Sequence, residues 1–100
     1  MTFTEIAQSI IDSMKTPMLD GFRTPEKLGE LVDSDRWVAL SSGERIMVGL
    51  ARCIWNGSSF DLSEALGRLD DEHFARVIIA LMQARPKAGA IVVESEFPDA

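Results

Sequence analysis

Apolar residues recur every three to four positions along most of the chain up to Pro86. The rhythm breaks at prolines, glycines and capping side chains, so the pattern predicts helices. The broadest face runs from Leu40 to Gly57, LSSGERIMVGLARCIWNG. There Ile46, Met47, Leu50, Ala51, Cys53 and Ile54 face inward, with Arg45 and Arg52 on the other side. Ser41 and Glu44 form a capping box at its start, and Asn56-Gly57 ends it. Gly49 costs about 1 kcal/mol relative to alanine inside a helix, unless it lets another helix approach closely.

The same logic places the other helices. Thr2 and Glu5 form a capping box for a helix from Phe3 to Lys15, with Ile6, Ile10, Ile11 and Met14 inside, and Pro17 forbids its continuation. After the Asp20-Gly21 turn, Phe22 packs the loop onto the core. Thr24-Pro25 opens a helix through Val32 or Asp33, with Leu28, Leu31 and Val32 inward. Ser34 caps a short turn over Asp35–Leu40, from which Trp37 and Leu40 reach the core. Asp61 and Glu64 start a short helix with Leu62, Ala65, Leu66 and Leu69 inward. Asp70 caps a long helix over Asp71–Arg85, with Phe74, Val77, Ile78, Leu81 and Met82 inward, and Pro86 ends it. The expectation is an all-α bundle of five to six helices, the first, fourth and sixth being longest. Residues 1–86 form the helical domain and 87–100 a C-terminal tail, extended or disordered, with a β-prone run from Ala90 to Val93.

Composition then narrows the function. Sixteen acidic and ten basic side chains give a net charge of −6. That disfavours direct contact with a nucleic-acid backbone, which needs lysine and arginine to displace counterions. It suits attraction to a basic protein surface. No apolar run reaches membrane-spanning length, and the N-terminus lacks a basic segment and a hydrophobic signal core, so a cytoplasmic protein is expected. Cys53 is the sole cysteine and lies on the apolar face of its helix, where a buried, inert thiol is expected.

Candidate chemistry is sparse. His73 is the sole histidine, in a first helical turn between Glu72 and Phe74, which suits a surface or capping role. Asp70, Asp71 and Glu72 do not follow a calcium-loop pattern, and dipole effects at a helix start already explain them. No serine sits in a G-x-S-x-G context. The expectation is a binding protein without cofactor, metal or catalytic residues.

Leu40, Ser41, Gly43, Glu44 and Arg45, followed by Val48 and Leu50-Ala51-Arg52, resemble the signature sequence of ATP-binding-cassette ATPases. The resemblance implies that the serine and glycine at the helix start contact a nucleotide γ-phosphate. Ser42 stands where that family has its second glycine, and the chain has no GxxxxGK[ST] loop. The capping box is therefore the reading adopted.

One segment stands out as a candidate contact surface. Glu26, Glu30 and Asp33 recur at i, i+4 and i+7, Asp35 extends the stripe, and Trp37 adds an aromatic anchor beside it. Like charges at this spacing cost roughly 0.2–0.5 kcal/mol per pair, which a basic partner would offset. Carboxylates on a rigid helix can stand in for phosphates on a Lys/Arg surface that normally holds nucleic acid. In size, acidity and lack of catalytic motifs the chain resembles the small phage-encoded inhibitors known as anti-CRISPR proteins. That resemblance of general character implies blocking of target-DNA binding by a CRISPR surveillance complex. The alternative is a structural or regulatory subunit that associates through an apolar helical face, as a homodimer for example.

Overall fold

The computed structural model describes residues 2–84 and the backbone of Val93–Glu94. The described residues form six α-helices: α1 (Phe3–Ser13), α2 (Leu28–Val32), α3 (Arg36–Ala39), α4 (Ser42–Asn56), α5 (Leu62–Arg68) and α6 (Asp71–Ala84). Two 3-10 turns, Pro17–Leu19 and Pro25–Lys27, lie between α1 and α2. Two short strands, β1 (Phe60–Asp61) and β2 (Val93–Glu94), pair in parallel, with Phe60 opposite Val93. The fold is an all-α bundle in which α1, α4 and α6 are the longest helices. Apart from Val93–Glu94, which is extended, the proposed tail lies outside the described residues.

The capping chemistry sets the helix starts. The Thr2 hydroxyl accepts from the Glu5 amide at 3.1 Å while the Glu5 carboxylate accepts from the Thr2 amide at 3.0 Å. Ser41 and Glu44 form the same reciprocal pair, at 3.1 and 2.8 Å. Gly57 ends α4 in the left-handed region at φ 78°, which glycine adopts without steric cost.

Helix α4 is the element against which α1, α5, α6 and β1 all pack. It buries Ile46, Met47, Val48, Leu50, Ala51, Cys53 and Ile54. Helix α1 supplies Ile6, Ala7, Ile10 and Ile11, and Leu19, Leu28, Leu31 and Leu40 close the core from the intervening segment. Trp37 and Phe22 are half-buried against it. Gly49 faces a side chain rather than a helix: a Cβ there would meet the Phe60 ring at 3.9 Å, an ordinary contact.

Arginines satisfy backbone carbonyls that the helix ends leave open. Beyond the end of α1, Arg23 donates to the Met14 and Thr16 carbonyls at 2.9 and 2.8 Å. Arg76 donates to the Ser13 carbonyl at 3.2 Å, which ties α6 to α1. Arg45 donates to the Trp37 and Val38 carbonyls at 3.0 and 2.9 Å, which ties α3 to α4. Arg36 bonds the Asp20 carbonyl and lies over the Phe22 ring, 5.3 Å from its centre.

Four sequence expectations need correction. The helix opened by Pro25 is split: a 3-10 turn precedes a five-residue α2. Ser34 does not cap α3, because its hydroxyl turns back to the Leu31 carbonyl at 2.7 Å. On α5 only Ala65 is buried, and Leu66 is 49% exposed. On α6 the buried residues are Val77, Ala80 and Ala84, with Phe74 and Leu81 half-buried. Ile78 and Met82, expected inside, are exposed, and so is Ile79. The inward face of α6 is thus lined by Val77 and two small alanines rather than by its largest aliphatic side chains.

Candidate partner-binding face

The segment from Pro25 to Leu40 is pinned by its apolar side. Pro25, Leu28, Leu31 and Leu40 are buried. That leaves Glu26, Glu30, Asp33 and Asp35 on the solvent side, all exposed. Glu26 lies on the 3-10 turn, Glu30 on α2, Asp33 at the C-cap of α2, and Asp35 just before α3. They do not share one helix. A 3-10 turn advances about 120° per residue against about 100° in an α-helix, so Glu26 is out of line with Glu30.

The fold does not use these four carboxylates. Glu5, Glu44, Asp61 and Asp70 cap helices. Asp20, Glu64 and Glu72 pair with Arg23, Arg68 and Arg76, and Asp12 accepts from Gln8. Among the described residues, the side chains of Glu26, Glu30, Asp33 and Asp35 make no hydrogen bond or ion pair. Asp33 even sits at the negative end of the α2 dipole, where a carboxylate is unfavourable. Asp35 occupies an N-cap position without making a capping bond.

Trp37 borders this acidic group. The Arg45 guanidinium lies over its ring, 5.8 Å from the centre, and bonds its carbonyl. The ring is thus held between the Arg45 guanidinium and the core, against which it is half-buried. Beside it a shallow groove of about 320 Å³ runs between Val32, Trp37, Gly49 and Phe60. Val38 is the residue the sequence reading missed: it is 74% exposed next to Trp37. The signal was available, since turning Trp37 and Leu40 inward in so short a helix leaves Val38 outward.

A larger open cleft of about 920 Å³ lies elsewhere, between the start of α4 and the start of α6. Ser41, Glu44, Arg68, Asp70, His73 and Arg76 line it. Their hydrogen bonds serve the fold. Asp70 accepts from the His73 amide at 2.8 Å and pairs with its Nδ1 at 2.7 Å, so His73 belongs to a helix cap. These contacts hold the exposed Asp70 carboxyl below the ordinary aspartate range, the His73 backbone amide contributing most. Cys53 is buried, and burial pushes its thiol up, away from the reactive thiolate.

Among the described residues, no cluster of histidine, cysteine and carboxylate side chains is arranged for a metal ion, and no helix is long and apolar enough to cross a membrane. Comparison with family models, curated proteins and solved structures finds no match to this chain.

Proposed function

We propose that this chain is a small acidic, non-enzymatic binding protein whose Glu26–Trp37 face occupies a basic surface on a nucleic-acid-binding partner and so inhibits it. One observation carries the reading: among the described residues, four of the five carboxylates without a side-chain partner are gathered on one segment, Asp71 being the fifth, whereas the others cap helices, pair with arginine or accept from Gln8. A lysine- or arginine-rich partner would supply the counter-charge that these carboxylates lack within the fold. Trp37 and Val38 supply apolar contact at the edge, and the charges steer the encounter. A CRISPR surveillance complex, whose DNA-binding surface is basic, is the partner to try first, since the likeness in size and charge implies it.

Affinity capture from a lysate at low and high salt, with mass spectrometry, tests this reading. A nucleic-acid-binding complex retained at low salt and released at high salt is the expected result. Retention of only salt-resistant, non-basic partners would reject it.

A further inference from the structure

Of the three long helices, only α6 turns large aliphatic side chains to solvent. The exposed positions of α1 are Thr4, Glu5, Ser9 and Asp12, and those of α4 are Ser42 and Asn56. On α6, Ala75, Ile78, Ile79 and Met82 are exposed, the last three by 41, 55 and 69%. Their spacing is i, i+3, i+4 and i+7, so they form one stripe along the helix. The sequence Val77–Ala84 contains no charged residue.

We infer that this stripe is the contact by which α6 pairs, antiparallel, with α6 of a second copy of the chain. The stripe is complementary to itself. About a two-fold axis between Ile78 and Ile79, Ala75 falls opposite Met82 of the second copy, and Ile78 opposite its Ile79. A small residue thus meets a long flexible one at each end, and two branched residues meet in the middle. The charges agree with that direction. Asp71 and Glu72 begin the helix, and in the sequence Arg85 and Lys87 follow its last described residue. Among the described residues Asp71 has no ion pair. Antiparallel pairing keeps the acidic starts of the two helices apart, and it opposes the two dipoles favourably. Parallel pairing would set acid beside acid.

The size of the contact sets its strength. A helix of 14 residues is about 21 Å long. One such stripe buries less than the roughly 800 Å² per partner of a standard interface. A groove between α1 and α6, lined by Ile6, Ile10, Ile79 and Gln83, lies alongside and enlarges the contact. The pairing is therefore a concentration-dependent equilibrium. The carboxylates from Glu26 to Asp35 lie on other elements, so each copy keeps its acidic face.

Sedimentation equilibrium over a wide concentration range tests this inference. The wild-type average mass should climb from 11.0 kDa toward twice that value, and should still do so at high salt. The Ile79→Glu and Met82→Glu variants should stay at 11.0 kDa with unchanged helical circular dichroism. Orientation is read from cysteine cross-linking under an added oxidant. Ala75→Cys mixed with Met82→Cys should form a disulfide-linked dimer, and Ala75→Cys alone should not. A wild type that sediments as a monomer throughout, variants that dimerise like the wild type, or self-linking of Ala75→Cys would each overturn the proposal.

Discussion

Ser41 and Leu50 mark the two ways in which single residues hold this fold. Ser41 satisfies an amide at the open end of α4, and its replacement by alanine should cost about 1 kcal/mol. Urea denaturation measures that directly. Leu50 is fully buried, so Leu50→Ala should cost about 2–5 kcal/mol through lost contacts and the cavity left behind. Leu66 provides the contrast. At 49% exposure, Leu66→Ala should fall within about 0.5 kcal/mol of the wild type. A large loss at Leu66 would contradict the placement of α5. Leu50→Asp buries an unpaired charge and should unfold the domain, seen as loss of the helical signal.

At the scale of elements, the starts of the long helices and the end of α4 were legible in the sequence, because capping is local chemistry. Thr2 with Glu5, Ser41 with Glu44, and Gly57 act within a few residues of themselves. Which face of a helix turns inward is a tertiary matter. On α4 the polar side is distinct, and the reading finds every buried position except Val48. On α6, Val77 to Met82 is apolar almost all round, so periodicity has no clear minimum, and Ala80 and Ala84 were passed over for larger residues. The split of the second helix was hidden too, since Pro25 suits a 3-10 start as well as an α-helical one. The cap of α6 makes a pH prediction. Asp70 has its carboxyl lowered by the His73 amide and side chain. Its charge therefore stabilises the folded state above the ordinary value of 3.8, and that contribution disappears as pH falls through the depressed value. Asp70→Asn keeps a capping oxygen but removes the charge. The stability gap between wild type and Asp70→Asn, followed by urea titrations, should close as the pH drops below that range. A gap that persists unchanged in acid would contradict the ionic role of Asp70.

At the scale of the whole molecule, charge has two separate uses. Most arginines bond backbone carbonyls or pair with nearby carboxylates, while the carboxylates between Glu26 and Asp35 are left to solvent. The sequence showed that these acids are close together. It did not show that they stand on three successive elements, nor that most other acids among the described residues are engaged in caps and pairs. The central claim is that position, and not net charge alone, makes the acidic face a binding surface. Two variants of equal charge test it. Glu30→Lys with Asp33→Lys changes the face, and Asp12→Lys with Glu64→Lys changes α1 and α5, each moving the net charge from −6 to −2. The measurement is capture of the basic partner by each variant at low salt, with folding checked by circular dichroism. The face variant should lose the partner while the other retains most of it. Equal retention, or equal loss, would show that the Glu26–Asp35 segment is not the contact surface.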